Sequence, residues 1–543
     1  MRERGAPAAL ALAALLLLPT LAFRGIWPPD ETRYADVARG MLASGDFVVP
    51  RLHDHVYREK PPVFFWASAA LDALGVPLTV SPRLVSVLSA LGTLALLPLV
   101  GAALGFAPRT SARGALVMAT TPLFLVYAQM GLLDLLCTFL VTAAIAAKCA
   151  RDAAGGRART ALAGAEGLAL GLALLAKGPV LLLFPLGLRA GALLSRGQRG
   201  PARPDRSDAL VLAMALALAG GWLAAAWRGT GGPDYVRAIT LGQALRRVTG
   251  DAPHLRAPGF LLASSLVGFL PWSVIAAGAL PRLWRPSAGR WAPGVAPLLG
   301  WIALPLGLLS LLETQQPHYV LPALPAAALG AGALLDDQPP AWARRLLAGV
   351  GFVFGAAALV LALALPQLAD GLQVDPAART LLAGDRALRG VALGVGAALV
   401  ALALVRRLGP FDTLWRRAAL GSACLVAGVF ALSWRVDPLM LPRELLARPE
   451  VRAAPRLVAP MSLRSAVRVQ TGRAEVDALV ERETLDDMRR EAGTVALVWR
   501  RDLPRLGVPP GALQEIGEGF VRGRSVLALR LAPGAVDGVP DPR

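Results

Sequence analysis

Acidic and basic side chains crowd the stretch from Pro28 to Pro62, which lies between two strongly apolar segments. It carries Asp30, Glu31, Arg33, Asp36, Arg39, Asp46, Asp54, Arg58, Glu59 and Lys60, a density of both signs that a connecting loop does not need. Asp30 and Glu31 are adjacent acids, and capping with the helix dipole accounts for one of them but hardly for both. A carboxylate beside Arg33 and Tyr34 is suited to orienting or deprotonating a hydroxyl, while guanidinium and ammonium groups are suited to binding phosphate. Glu59 and Lys60 repeat the pairing just before Pro61 and Pro62, as a surface ion pair of small worth or as the second half of a site. Asp134 stands among Leu132, Leu133, Leu135 and Leu136 at the mouth of an apolar segment, where an ionisable group is costly and usually functional. Lys177 precedes Gly178-Pro179, so it either snorkels to the interface or reaches a site at the helix break. His254, Arg256, His318 and Tyr319 are weaker signals singly, and two histidines without ligand spacing do not make a metal site.

The elements that must position these residues are membrane helices. Hydrophobic residues form 55% of the chain, its mean hydropathy is +0.53 and only 17% is charged, which excludes a soluble protein of 543 residues. The net charge of +19 does not indicate nucleic acid, because the arginines fall in short loops between apolar runs rather than in one stripe. Cys137, Cys149 and Cys424 lie in or beside apolar segments without CxxC spacing, so neither a disulfide framework nor a cysteine metal site is expected. About fourteen runs approach the roughly 20 residues of a span. Treating Val63 to Val76 as a surface helix that does not cross puts the Arg-rich loops on the cytoplasmic side and leaves about 13 crossings. Asp30 to Lys60, Gln129 to Asp134, Lys177, Arg228 to Arg256 and Glu313 to Tyr319 then all face outward. The outward loop before Pro258 holds Arg237, Arg246, Arg247 and Arg256 against only Asp234 and Asp251, an excess that a phosphate ligand or anionic lipid explains.

Within the charged stretch, Pro28-Pro29-Asp30 predicts a helix start with Asp30 as N-cap, and Gly45 a stop. Tyr34, Val37, Ala38, Met41 and Leu42 recur at helical spacing, as on a helix lying flat on a membrane surface. Beyond residue 434 the apolar runs shorten. Val495 to Trp499 and Ser525 to Leu531 read as strands and Glu475 to Arg490 as a helix, so 1–434 is expected as a membrane domain and 435–543 as a small outer α/β domain.

Three blocks carry a resemblance: Asp30-Glu31-Thr32-Arg33-Tyr34-Ala35, Met41 to Pro50 (MLASGDFVVP), and Tyr57-Arg58-Glu59-Lys60-Pro61. With Leu133-Asp134, Ala176-Lys177-Gly178, His254 to Pro258, Leu270-Pro271-Trp272 and Pro317-His318-Tyr319 following in order, the chain resembles the lipid A aminoarabinose transferases. These belong to the protein O-mannosyltransferase-like superfamily. The resemblance implies a GT-C fold and a juxtamembrane catalytic loop over 24–77. It implies sugar transfer from undecaprenyl phosphate to lipid A or another envelope acceptor, at the periplasmic face of a bacterial inner membrane. Asp30 becomes the principal catalytic carboxylate and Asp134 the second acid. Arg33, Tyr34, Tyr57, Lys60, Lys177 and Tyr319 become donor-binding residues, joined on charge grounds by Arg246 and Arg256. Glu59 matches a position associated with metal in a relative, without a second ligand, and no tightly bound cofactor is expected. The chain departs from the family at Glu313-Thr314-Gln315-Gln316, where a basic Lys-Gly-Lys would stand, and resembles general superfamily members there. A protein O-mannosyltransferase-like enzyme is the alternative. A flippase for lipid-linked sugars fits less well, because the charges gather at one face and no repeat is evident.

Overall fold

The computed structural model describes residues 5–53, 55–194, 206–242, 256–257, 259–279, 284–285, 290–291, 294–312, 314–334, 341–371, 375–405, 414–479, 488, 491, 493–506 and 511–532. The chain enters through α1 (Gly5–Leu17) and a short turn to Phe23, then forms α2 (Asp30–Ser44). A two-stranded hairpin, β1 (Arg51–Leu52) and β2 (His55–Val56), leads to the 11-residue α3 (Val63–Ala73). The next helices are α4 (Ser81–Ala103), α5 (Pro108–Ala119), α6 (Pro122–Ala128), α7 (Asp134–Ala153), α8 (Gly156–Lys177), α9 (Leu183–Leu194) and α10 (Arg206–Arg228). They are followed by α11 (Phe260–Gly268), α12 (Trp272–Ala279), α13 (Val295–Ser310), α14 (Leu324–Leu334), α15 (Ala341–Asp370), α16 (Arg386–Leu404) and α17 (Leu414–Met440).

Among the described residues seven helices are long and apolar enough to cross a membrane, or eight if α5 and α6, bent by 61°, form one span. The other five expected crossings fall on segments that are charged, short or broken. Helix α7 carries Asp134, Lys148, Arg151 and Asp152; Gly178-Pro179 interrupts the run into α9, and Leu270-Pro271 separates α11 from α12. Helix α13 has 16 residues, and a 3-10 turn over Pro317–Ala323 precedes α14. Proline supplies no amide to the helical ladder, and broken helices persist where protein packing satisfies the freed carbonyls. Exposed Leu212, Leu216, Val353 and Leu363 on α10 and α15 present the apolar surface that lipid covers. At 11 residues α3 is too short to cross, as expected of Val63 to Val76.

The expected cap at Asp30 is corrected. Pro29 holds the cap position, Asp30 is the first helical residue, and its carboxylate pairs with Arg33 one turn on. Gly45 does end α2, at φ +69°, with its amide donating to Met41. Tyr34, Val37, Ala38 and Met41 are buried, but Glu31 and Asp36 on other faces are buried as well, so protein and not a membrane surface surrounds α2.

Helix α17 continues through position 434 to Met440. Beyond it β3 (Leu457–Ala459), α18 (Met461–Thr471), β4 (Asp477–Ala478), β5 (Val495–Trp499), β6 (Leu513–Val521) and β7 (Arg524–Leu531) build the terminal α/β unit. Its sheet order is β4-β3-β5-β7-β6, with β3 parallel to both neighbours and β7 antiparallel to β5 and β6. The two expected strands are β5 and β7. The expected helix from Glu475 begins instead as β4, because Asp477 and Ala478 pair with Val458 and Ala459; residues 480–487 lie outside the described set.

Glycines set a close helix crossing between α9 and α13. On α9, Gly187 and Gly191 face Gly300 and Ala296 of α13, and a Cβ on Gly300 would stand 2.2 Å from the Gly187 carbonyl oxygen. Small residues four apart allow such backbone contact, which drives association where lipid is the solvent. Gly300→Ala is therefore expected to cost about 1–3 kcal/mol from overpacking, seen as a lower unfolding midpoint in detergent. Gly307→Ala on the same helix meets nothing within 4 Å and should leave the midpoint unchanged or raised.

Candidate active site

A buried carboxylate organises the site. Glu31 accepts two hydrogen bonds from Arg24, Nη2 to Oε1 at 2.6 Å and Nη1 to Oε2 at 2.8 Å. It also accepts from the Trp27 amide at 2.5 Å and, 100 residues away, from the Gly131 amide at 2.6 Å. Arg24 in turn donates to the Gln129 carbonyl at 3.1 Å and stacks over Trp27. The start of α2 is thereby joined to the loop that leads into Asp134. This is why Glu31 stands beside Asp30: one acid holds the frame, and its neighbour is left half-exposed at the site.

Around this frame the predicted residues form two adjoining clusters. In the first, Arg33 pairs with Asp30 and lies 3.3 Å from Glu59, whose carboxylate accepts from the Tyr57 hydroxyl at 3.2 Å. Arg33 also lies over the rings of Tyr34 and Tyr57, 5.8 and 5.9 Å from their centroids. Behind them Phe64 and Phe65 of α3 meet Tyr34 edge-on, so the segment that does not cross serves as an aromatic backing. In the second, Lys177 donates to Asp134 at 2.5 Å, His318 Nε2 is 3.8 Å from the same carboxylate, and Lys177 lies 4.9 Å from the Tyr319 ring. Half-buried Lys60 is within electrostatic reach of Asp134. Tyr34 joins the clusters, feeling Asp30, Arg33, Asp134 and Glu59 together.

Electrostatics sets the protonation states. Burial, with Asp30 reinforcing it, pushes the Tyr34 phenol well above its ordinary pKa despite Arg33; burial and Tyr34 do the same to Tyr57. Both phenols remain donors at neutral pH. Burial works against the Arg33 charge, but Tyr57, Glu59 and Asp30 outweigh it and raise its pKa. Two cation–carboxylate pairs beside two phenols can receive a phosphate group and hold an acid against an incoming nucleophile.

Arg256 is exposed and stacks over Phe260 rather than joining either cluster by a described contact, while Arg246 and His254 lie outside the described residues. Glu59 is engaged by Arg33 and Tyr57, and no group of three His, Cys, Asp or Glu among the described residues is arranged to hold an ion. The Gln315 side chain accepts from the Leu261 amide and donates to the Ser310 and Leu312 carbonyls, so it links α11 to α13. Sequence reasoning missed the Arg24 and Gly131 partners of Glu31 and the packing of Tyr127 on His318, whose ring centroids are 5.4 Å apart. The excess acid at Glu31 was the one available signal.

A model of the dolichyl-phosphate-mannose-protein mannosyltransferase family matches residues 4–194. An undecaprenyl phosphate-α-4-amino-4-deoxy-L-arabinose arabinosyl transferase of Pseudomonas fluorescens is 31% identical over 431 residues, covering 77% of this chain and 74% of its own. Its counterpart in Edwardsiella ictaluri is 30% identical over 469 residues, covering 82% of this chain and 80% of its own. The chain belongs to the aminoarabinose transferase family. The structure of ArnT from Cupriavidus metallidurans bound to undecaprenyl phosphate shares its fold, with a TM-score of 0.73, 22% identity and coverage of 99% of both chains. The aminoarabinose transferase-like fold of this chain is thus GT-C, and the protein is a multi-pass membrane glycosyltransferase. The block Asp30 to Ala35 holds both kinds of residue: Glu31 is buried in the frame, and Asp30, Arg33 and Tyr34 belong to the first cluster.

Removing Glu31 leaves the Arg24 guanidinium buried without its counter-charge. Glu31→Ala is expected to destabilise by about 3–5 kcal/mol, read as detergent thermal unfolding. The double change Arg24→Met with Glu31→Met should recover a substantial part of the loss, because it removes both charges.

Proposed function

We infer that this enzyme moves an aminoarabinose-type pentose from undecaprenyl phosphate to lipid A, at the periplasmic face of a bacterial inner membrane. The observation that carries the reading is the meeting of Asp30, Arg33, Tyr34 and Tyr57 with Asp134 and Lys177 in a chain of this family. Several relatives are named for the undecaprenyl phosphate-linked aminoarabinose donor, and the charge asymmetry of the loops supports the sidedness.

In this reading Lys60, Lys177 and Arg33 neutralise the donor phosphate, and Tyr34 and Tyr57 donate hydrogen bonds to its oxygens. The bond from the anomeric carbon to the phosphate oxygen breaks, and its electron pair leaves with the phosphate, where the cations stabilise it. The acceptor oxygen attacks from the opposite side and inverts the anomeric carbon. Asp30 orients that oxygen, and takes its proton where the acceptor is a hydroxyl. Tyr319 packs on Lys177, and Asp134 holds Lys177 in place. Arg246 and Arg256 are assigned to drawing the anionic donor toward the site. A hydroxyl acceptor, as in a protein O-mannosyltransferase-like reaction, has one observation in its favour: the loop at Gln315 carries a structural amide where the family has cations.

Asp30→Asn is expected to lower transfer by about 10²–10⁴-fold while undecaprenyl phosphate binding stays within about twofold. Lys177→Met should instead weaken donor binding by at least about tenfold, because the desolvated cation nearest Asp134 is lost. Mass spectrometry of lipid A from cells supplied with the lipid-linked pentose tests the reading. An Asp30-dependent pentose addition supports it, a hexose on protein moves the acceptor, and full turnover by Asp30→Asn removes the catalytic role.

A further inference from the structure

The terminal α/β unit touches the site through α18, which lies along α2. The contact centres on Asp36, a carboxylate with 1% of its side chain exposed, on a different face of α2 from Asp30. Arg39 Nε is 3.1 Å from it, His53 Nε2 3.2 Å, and Arg468 Nε of α18 3.4 Å. His53 Nε2 is also 2.9 Å from the Ser465 hydroxyl of α18, and Arg39 donates to the Ala474 carbonyl at 3.3 Å. His53 reaches this position from the two-residue β1–β2 turn, where the tight hairpin connection calls for the left-handed conformation it adopts, φ 49°. Burial opposes the Asp36 charge, yet His53 and the two arginines keep its carboxyl below the usual range. Ile26, Ala35 and Val469 form a small apolar cluster beside the charges.

His53 also lines a cavity of about 680 Å³, of a size that takes a sugar or head group. Arg33, Tyr57 and Glu59 of the site line it together with Ala238, Gly242 and Met461, the first residue of α18 and 56% exposed. One imidazole therefore belongs both to the contact that holds α18 and to the cavity that Met461 of α18 lines.

We propose that α18 forms the outer wall of the acceptor's approach to the active site, and that Asp36 is the positioning residue that latches it there. The terminal unit then sets acceptor affinity, while the bond-breaking step and donor binding depend on the residues already described. The proposal rests on the transferase reading for its kinetic consequence but not for its latch.

Two measurements on the full-length protein in detergent test it. The first needs no turnover: hydrogen exchange at the backbone amides of 461–471. Asp36→Asn and Arg468→Met should each raise exchange there by at least about tenfold, with Arg468→Lys intermediate. Unchanged protection in both variants would overturn the latch. The second compares kcat and KM for lipid A in mixed micelles with the undecaprenyl phosphate-linked pentose as donor. Met461→Trp narrows the cavity where α18 lines it, without touching the core. It should raise the acceptor KM by at least about tenfold, with kcat and undecaprenyl phosphate affinity within about twofold, and Arg468→Met should change the acceptor KM in the same selective way. An acceptor KM within twofold of wild type for Met461→Trp, or a matching loss of donor binding, would overturn the wall. Absence of transfer by the wild-type enzyme would count against the transferase reading and leave the exchange result standing as the test of the latch.

Discussion

The site depends on one desolvated ion pair. Glu31 and Arg24 are both buried and meet through two hydrogen bonds, and the remaining acceptor capacity of the carboxylate is filled by the amides of Trp27 and Gly131. A buried pair of this kind contributes little net stability over an apolar substitute, but breaking it is costly because one charge is left without compensation. Its value is geometric. It joins the entry to α2 to the loop before α7, and so fixes the separation of Asp30 and Asp134, which belong to different helices. Arg83, buried beside it, donates to the carbonyls of Thr20, Leu21 and Thr79 and closes the same corner.

The clusters built on that frame divide exposure unequally. Asp134 is buried and pairs with Lys177, whereas Asp30 is about half exposed and pairs with Arg33. A buried pair keeps its geometry through a catalytic cycle, and an exposed carboxylate can exchange its partner for a substrate. The phenol of Tyr34, kept protonated by burial, feels both carboxylates, and that of Tyr57, also kept protonated, donates to Glu59. At the opposite end of α7, Arg151 pairs with Glu166 at 2.8 Å and with Asp208 at 2.7 Å, tying α7, α8 and α10 together. The ends of α7 are thus both ionic, with Asp134 and Lys177 at one and Arg151, Glu166 and Asp208 at the other. The same α2 helix carries the frame at Glu31, the ion pair of Asp30 and Arg33 at the candidate site, and the contact with the terminal unit at Asp36.

Much of the fold and site was legible in the chain. Hydropathy located the seven or eight long apolar helices among the described residues, because lipid imposes a composition on whatever it touches, while the other five expected crossings fall on short, charged or broken segments. Gly45 marked the end of α2, and β5 and β7 appeared as apolar runs. Adjacent acids at Asp30 and Glu31, charge at the mouth of α7 and a lysine at a Gly-Pro break marked the site. What failed was narrower. Asp30 was expected as the cap and is instead the first helical residue, after Pro29, with Arg33 beside it as the spacing implied. Asp477 was expected in a helix and pairs with Val458 in a sheet, where a strand from elsewhere in the chain supplied the stronger interaction.

The sequence by itself determined that this is a helical membrane protein with a charged site at one end of its helices, and it marked most of the residues there. These properties follow from composition and short-range spacing. Only the tertiary structure decided that Glu31 holds Gly131, that His318 stands by Asp134, and that Asp36 faces Arg468. Those contacts join residues 100 or more positions apart, and their energies depend on burial that no local pattern encodes.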